Sequence, residues 1–281
     1  MVRRFDKLRV CPRAPAGPHP VTFLVSRRAF GAATLGTIAF GAQAGPAEIM
    51  ARAKPSIVAV GTYRATDSPR FQFRGSGFAV GDGTRVVTCF HVLPEAGSDA
   101  AMVPLAVLLP RGPDGGAAWR QASVESTDRA HDIAVLKIEG AALPALALAD
   151  ATAMQEGAAV ALIGFPVGGV LGYAPVIHRG MVSAVTPMVL PTAAARQLDE
   201  RAIRALRGTA FDIYQLDAVA FPGNSGGPLF DADSGRVIGV VNMGLVKANR
   251  ETALSQPSGI TYAIPVRHAL ALLEGKRPGA P

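Results

Sequence analysis

Pro222-Gly223-Asn224-Ser225-Gly226-Gly227-Pro228-Leu229 is the stretch of the sequence that best indicates both the fold and the chemistry. It sets one serine among glycines between two apolar runs, and glycine allows the tight turn that such a position needs. A hydroxyl that attacks an amide must be exposed, with backbone N–H groups aimed at the developing oxyanion, and those of Gly223 and Ser225 can serve. An ordinary hairpin turn has a similar composition. Catalysis is therefore predicted only if a base and an orienting acid occur elsewhere.

Two upstream stretches provide a candidate base and a candidate acid. Val86-Val87-Thr88-Cys89-Phe90-His91-Val92 places His91 just past an apolar strand, where its imidazole can project into a cleft. His131-Asp132-Ile133-Ala134-Val135-Leu136-Lys137-Ile138 places Asp132 at the start of another strand, where it can accept from the imidazole and fix its tautomer. A lone histidine is usually structural, and an aspartate at a strand entry is usually a turn residue. Their joint occurrence with Ser225, each at a strand edge, predicts a catalytic triad.

The sequence from Ser56 onward predicts β structure. Short β-branched runs alternate with Gly, Pro and Asp turns, which is typical of antiparallel strands. The first set of predicted strands is Ile57–Gly61, Gly77–Val80, Arg85–Thr88, Val103–Leu109 and Ile133–Ile138. After a loop-like stretch at 140–156, the second set is Ala158–Gly164, Met181–Val185, Ile213–Asp217, Pro228–Phe230, Val237–Asn242 and Gly259–Ala263. Two comparable sets predict an all-β protein with two barrels.

Helical patterns are few. Apolar residues recur every four positions within Ala193–Leu206, which predicts a surface insertion helix that docks on its own domain. A short C-terminal helix is predicted after Pro265, with apolar residues at Val266, Ala269, Leu270, Leu272 and Leu273.

Three blocks, Thr88–Val92, His131–Ile138 and Gly223–Leu229, resemble the signatures of trypsin-like serine peptidases, particularly of the bacterial HtrA/Deg branch. Further matches are Gly75-Ser76-Gly77-Phe78, Gly164-Phe165-Pro166, Arg179-Gly180-Met181-Val182-Ser183, Leu216-Asp217-Ala218 and Tyr262-Ala263-Ile264-Pro265. The resemblance implies two six-stranded antiparallel β-barrels with the active site between them. The N-terminal barrel would occupy 48–150 and the C-terminal barrel 151–274, followed by a tail at 275–281.

The resemblance also implies a role for each member of the triad. Ser225 would be the nucleophile, His91 the general base and then general acid, and Asp132 the residue that orients and stabilises the imidazolium. The amides of Gly223 and Ser225 would form the oxyanion hole. The protein would thus be a serine endopeptidase acting on polypeptides through an acyl-enzyme, with protein quality control as the role that the resemblance suggests.

The chain departs from the family at two points. Asn224 stands where the pancreatic branch has an aspartate that pairs with a newly cut N-terminus, so activation by clipping is not expected. Only sixteen residues follow Pro265 (281 minus 265), so we expect no C-terminal PDZ module.

Alignment with the family also predicts the walls of the specificity pocket, and no carboxylate occurs among them. A buried acid is needed to pair with Arg or Lys, so cleavage after small or medium apolar residues is predicted. The predicted substrate-binding residues are Val219, Ala220, Phe221, Asn242, Met243 and Gly244, with Asp217 two positions away from the pocket floor.

Residues 1–44 predict an export leader. Ser26-Arg27-Arg28-Ala29-Phe30 precedes an uncharged run, Gly31–Ala42, and a small-residue site, Ala42-Gln43-Ala44. This pattern resembles a twin-arginine signal, although an ordinary secretory signal or a membrane anchor remains an alternative. We therefore expect a periplasmic or secreted bacterial protein with no stable membrane span in its mature form.

The charge of the chain is concentrated in that leader. Residues 1–44 contain seven Lys/Arg and one acid, which leaves 21 basic and 20 acidic residues in 45–281. The mature net charge of +1 argues against a nucleic-acid partner.

The remaining candidates for chemistry are weak. Cys89 would be the single cysteine after removal of the leader with Cys11, and its apolar neighbours predict a buried structural thiol. The histidines show no metal-type spacing, so neither a metal nor a cofactor is predicted. A catalytically silent protease-like binding or chaperone module is the alternative function, and the oligomeric state is left open.

Overall fold

The computed structural model describes residues 46–110, 118–150, 154–168, 172–188, 211–243 and 259–276, all within one compact unit, 43–281. The predicted leader, the insertion helix at Ala193–Leu206 and the pocket residue Gly244 lie outside the described residues.

Twelve strands in the described residues form two closed barrels, which confirms the predicted all-β fold. The strands of the first barrel are β1 (Ile57–Tyr63), β2 (Phe71–Val80), β3 (Arg85–Cys89), β4 (Leu105–Leu108), β5 (Trp119–Asp128) and β6 (Ile133–Ile138). Those of the second are β7 (Ala159–Gly164), β8 (Val176–Met188), β9 (Phe211–Asp217), β10 (Pro228–Asp231), β11 (Val237–Asn242) and β12 (Ile260–Pro265). The strand orders are β1-β2-β3-β6-β5-β4 and β10-β11-β12-β9-β8-β7.

Strand β5 was missing from the predicted set of strands. Its sequence, WRQASVESTD, has few apolar residues, and Val124 in its middle is half exposed. The alternation that identifies a half-buried strand is therefore absent from this segment. Antiparallel pairing with β4 on one side and β6 on the other makes it a strand and closes the barrel.

The pairing of β3 with β6 brings the candidate base close to the candidate acid. Cys89 at the end of β3 pairs with Ile133 at the start of β6. The residues that follow Cys89 and those that precede Ile133 therefore lie side by side. The register itself is set by the apolar side chains of both strands, which are almost all buried.

Two helices flank the barrels in the described part of the chain. Helix α1 (Pro46–Ala53) was not predicted, whereas α2 (Val266–Leu273) confirms the predicted C-terminal helix. The buried residues of α2 are Val266, Ala269 and Leu272, and the helix packs against β5, β6 and β11. Among the described residues, neither helix has the length and apolar character to cross a membrane.

The loop-like stretch after β6 joins the two barrels by backbone hydrogen bonds. Leu143 N–H donates to Gly83 O, and Leu146 N–H donates to Ala79 O, both at 2.9 Å. Farther along, Ala149 N–H donates to Val237 O at 2.8 Å. The linker is thus bonded first to the first barrel and then to the second.

The apolar core of the first barrel continues into the second. The same buried cluster contains Phe78 and Leu136 from the first barrel and Ile163 and Phe230 from the second. Full burial of such a side chain contributes about 1.5–3 kcal/mol to stability. The position of one barrel relative to the other therefore rests on shared packing.

Helix α2 is attached to the first barrel through a group of aromatic and titratable side chains. The His268 ring stacks on the His131 ring, with centroids 3.8 Å apart, and the Phe211 ring contacts both. Asp128 accepts a hydrogen bond from the His131 ring at 2.6 Å. Burial, followed by the charges of His131 and Arg267, lowers the pKa of His268 to about 3, although Asp128 opposes this shift.

We expect acid to destabilise the protein through His268. The unfolded chain takes up a proton near the ordinary pKa of 6.5, whereas the folded state stays neutral to about 3, so stability falls as the pH drops through this interval. Chemical denaturation at pH 7 and pH 5 should therefore show a smaller loss of unfolding free energy in His268→Gln than in the wild type. Equal losses in the two proteins would contradict the assignment.

Candidate active site

His91 is placed by a buried strand that ends at the cleft. Strand β3 is almost fully buried, and the one-turn 3-10 helix Phe90–Val92 follows it directly. The backbone turns outward there, and the His91 side chain is 37% exposed while Val92 is buried. An imidazole at the end of a rigid strand is both accessible to a substrate and held in place.

Asp132 is delivered by the turn between β5 and β6. Asp128 shapes this turn, because its carboxylate accepts from the backbone N–H of His131 at 3.1 Å as well as from the ring. Burial alone would raise the pKa of Asp128, but the hydrogen bond and charge of His131 lower it below its ordinary value. Asp132 itself has a φ of 54°, a left-handed conformation that aspartate tolerates better than most residues.

Asp132 and His91 form a closely bonded pair. Asp132 Oδ2 lies 2.5 Å from His91 Nδ1, and Oδ1 accepts from the His91 backbone N–H at 2.8 Å. Phe90 N–H also donates to Asp132 O at 3.0 Å. Because the carboxylate acts as the acceptor, Nδ1 carries the proton and Nε2 is left as the basic nitrogen.

Asn242, one of the predicted pocket residues, contacts Asp132 in the structure. Its side chain is wholly buried, and Nδ2 donates to Asp132 Oδ2 at 2.7 Å. Sequence reasoning had no signal for this contact, because Asn242 and Asp132 lie in different barrels.

The turn that carries Ser225 depends on its glycines. Gly226 has a φ of 84°, and a Cβ there would lie 2.2 Å from Ser76 O and 2.3 Å from Thr88 Oγ1. Gly223 has a φ of 106°, and a Cβ there would lie 2.4 Å from Phe165 O. No other residue fits both the backbone conformation and the space at these positions.

Ser76 of β2 links the serine turn to the first barrel. Its backbone N–H donates to Ser225 O at 2.8 Å, and its Oγ donates to Gly223 O at 2.7 Å. The same Oγ accepts from Phe165 N–H at 3.0 Å. Ser76 matched the family only as part of a Gly-Ser-Gly stretch, and the structure shows that it bonds from the first barrel to three residues of the second.

The amides of Gly223 and Ser225 make no hydrogen bond within the described part of the chain. The peptide group that contains Gly223 N–H has its carbonyl, Pro222 O, bonded to Val167 N–H at 2.9 Å. In a trans peptide the N–H points away from the carbonyl, so the Gly223 N–H faces away from Val167. This arrangement leaves both donors available for a developing oxyanion.

Ser225 is buried, at 5% exposed, and its side chain makes no hydrogen bond to that of His91 in the described residues. Ser225 Oγ instead accepts from Met243 N–H at 3.1 Å. Catalytic hydrogen bonds are often absent without a substrate and form in the complex.

The other predicted pocket residues differ in exposure. Val219 is 41% exposed, Ala220 is buried, and the Phe221 ring lies 6.1 Å from the ring of His178. Ala220 belongs to the apolar cluster of the second barrel, and Met243 packs against that cluster. The packing contacts of Ala220 and Met243 are therefore apolar.

Cys89 lies close to His91 and Asp132, but its thiol is buried. Its Sγ is fully buried and donates to Val241 O at 3.3 Å. Burial, reinforced by the charge of Asp132, raises the pKa of the thiol well above its usual value. Potential ligand atoms of Cys89, His91 and Asp132 lie within 4.8 Å of one another, yet a metal site would need the thiolate and would compete with the His91–Asp132 bond.

Comparison with known proteins places this geometry in a family. A family model described as "Trypsin-like peptidase domain" matches residues 75–240, which is more than half of the chain. The match includes His91, Asp132 and Ser225.

Curated relatives carry related names. The chain is 30% identical over 203 residues to a "Probable periplasmic serine endoprotease DegP-like" of Halomonas elongata, with 72% of this chain and 35% of the relative covered. It is 31% identical over 199 residues to a protein of the same name from Pseudomonas putida, with 71% and 35% covered. It is also 31% identical over 210 residues to the "Putative serine protease HhoA" of Synechocystis, with 72% and 43% covered.

The chain therefore spans about a third of the length of the DegP-like relatives that it matches. The family match, the two barrels and the paired His91 and Asp132 beside Ser225 agree with one another. The chain belongs to the trypsin-like peptidase domain family, within the group that includes the DegP-like and HtrA serine endoproteases.

Proposed function

We propose that the protein is a serine endopeptidase that hydrolyses peptide bonds through an acyl-enzyme, with Ser225, His91 and Asp132 as its triad. The observation that carries this proposal is the hydrogen-bonded His91–Asp132 pair, which lies beside a glycine-flanked serine. Support also comes from the amides of Gly223 and Ser225, which make no hydrogen bond to any described residue and are the donors that an oxyanion requires.

The reaction begins when Ser225 Oγ leaves Met243 N–H and turns to His91 Nε2. His91 takes the hydroxyl proton as Oγ attacks the scissile carbonyl, and the Gly223 and Ser225 amides stabilise the oxyanion. His91 then protonates the leaving amine, and water enters to hydrolyse the acyl-enzyme by the same steps in reverse. Asp132 keeps its hydrogen bond to Nδ1 and stabilises the imidazolium.

Asn242 supports this cycle by holding Asp132. The carboxylate must keep its charge and orientation while His91 changes protonation state. The Asn242 amide occupies Asp132 Oδ2 from the second barrel, while His91 binds both oxygens from the first. We therefore assign Asn242 to orientation of the acid.

The names of the relatives support a location outside the cytoplasm. Two of them are called periplasmic, and both are endoproteases. Together with the Arg27-Arg28 pair and the Ala42-Gln43-Ala44 site, they favour export of this protein and polypeptides as its substrates. A role in protein quality control is part of the same proposal.

A silent binding module is the second candidate, and the hydrogen bond between Met243 N–H and Ser225 Oγ is the observation that favours it. In such a protein the hydroxyl would keep this partner permanently. Purified protein that binds unfolded polypeptides, remains folded and yet cleaves none of them would favour this candidate.

Replacement of Ser225 by Ala should abolish peptide hydrolysis and leave the fold intact. We expect kcat on casein-derived peptides to fall by about 10⁴-fold or more. The kcat of His91→Ala should fall by a similar factor. The kcat of the double variant should fall by little more than that of either single variant, because the two residues act as one unit. Thermal unfolding should be nearly unchanged in Ser225→Ala, and retained activity in that variant would contradict the proposed nucleophile.

Cleavage should follow small or medium apolar residues. An apolar side chain gains about 25 cal/mol per Å² removed from water, whereas a buried cation without a partner is costly. Profiling with a peptide library measures the preference. Val219→Asp places a carboxylate at the exposed end of the proposed wall and should increase cleavage after Arg and Lys. Dominant cleavage after Arg or Lys by the wild type would refute the apolar pocket.

Export should depend on the arginine pair. Arg27→Lys with Arg28→Lys keeps the charge of the leader but removes the feature specific to the twin-arginine signal, so the precursor should remain in the cytoplasm. The wild-type protein should be recovered outside the cytoplasm with Gly45 at its N-terminus. Unchanged export of the double variant would leave the general secretory route.

A further inference from the structure

The general base lies on a turn that has little support from its own backbone. His91 is the middle residue of the 3-10 turn Phe90–Val92, where Leu93 N–H donates to Phe90 O at 3.0 Å. A single turn leaves carbonyl groups at its C-terminal end that need partners from outside. The direction of the imidazole therefore depends on neighbouring elements.

Arg74 in β2 provides such partners on the C-terminal side of His91. Its Nε donates to Val92 O at 2.6 Å, and its Nη2 donates to Leu93 O at 2.9 Å. A guanidinium presents its N–H groups in a rigid planar fork. Two bonds from one such fork to successive carbonyls fix both the position and the direction of the turn.

Asp132 holds the other side of the same turn. Its carbonyl accepts from Phe90 N–H, and its carboxylate accepts from His91 N–H. The backbone of His91 thus lies between an anionic anchor on one side and a cationic anchor on the other. Loss of either anchor would free the turn to rotate about the remaining one.

The strand that holds the base also holds the nucleophile. Two residues after Arg74, Ser76 bonds to the serine turn through Ser225 O. Between them, Gly75 passes so close that a Cβ there would lie 2.7 Å from Val92 Cγ2 and 2.9 Å from Ser225 O. The segment Arg74-Gly75-Ser76 therefore connects the His91 turn directly to the Ser225 turn.

We propose that Arg74 is a positioning residue for the general base, because its guanidinium on the carbonyls of Val92 and Leu93 sets the place of the His91 imidazole relative to Ser225. This inference rests on the proposed peptidase function. Arg74 is an exposed residue, so its replacement removes the two hydrogen bonds without leaving a cavity in the core.

Kinetics of two substitutions test the proposal. Arg74→Met keeps most of the length of the side chain and removes both bonds, and kcat should fall by about tenfold with KM within about twofold. The lysine of Arg74→Lys can reach one carbonyl, so the kcat of this variant should lie between those of the wild type and Arg74→Met. The matched control is Arg120→Met, which removes a guanidinium bond to Ala141 O in the linker and should leave kcat unchanged.

A second measurement separates positioning from general stability and does not need activity. The proton shared by His91 Nδ1 and Asp132 should give a sharp downfield NMR signal in the wild type and in Arg120→Met. In Arg74→Met the signal should broaden or disappear, with a thermal stability close to that of the control. Unchanged kcat with a sharp signal, or an equal loss of kcat in Arg120→Met, would overturn the proposal. If the wild type cleaves no peptide, the proposed function fails and the NMR signal still decides the role of Arg74.

Discussion

The partly buried carboxylate of Asp132 is the group on which the arrangement of the site depends. Its side chain is 12% exposed, and a carboxylate removed from water loses several kcal/mol unless N–H groups replace the water. Those groups come from both barrels, with His91 in the first and Asn242 in the second. Satisfying this one charge therefore requires that the ends of β3, β6 and β11 meet at a single point.

The seam between the two barrels, where Ser76 meets the serine turn, is closely packed. Ser76 O lies where a side chain on Gly226 would have to be, and Ser76 Oγ bonds to Gly223 O across the cleft. Thr88 adds to this seam, because its hydroxyl donates to Ser76 O at 2.7 Å. Several hydrogen bonds from Ser76 and Thr88 hold this region together, so the serine turn cannot shift without breaking more than one of them at once.

Burial also decides whether the Cys89 thiol can act as a nucleophile. Cys89 is intrinsically a better nucleophile than serine, but its pKa is raised and its thiol stays protonated inside the barrel. Ser225 is also buried, at 5% exposed, but a serine hydroxyl is activated by a neighbouring base and does not need a lowered pKa of its own. Burial thus argues against the Cys89 thiol as the nucleophile.

Local sequence was sufficient for the features that lie within a few residues of one another. The glycine-flanked serine, the histidine after an apolar strand and the β-branched runs all leave patterns of short period, and the triad and the two-barrel fold were inferred from them and from the family resemblance. Strand β5 left no such pattern, since only its partners β4 and β6 make it a strand. The bonds from Asn242 to Asp132, from Ser76 to Gly223 and from Arg74 to Val92 join residues 110, 147 and 18 positions apart. Hydrogen bonds depend on the distance and direction between groups in space, and the spacing of residues along the sequence encodes neither. Both are set only when each barrel has folded and the two barrels have packed together.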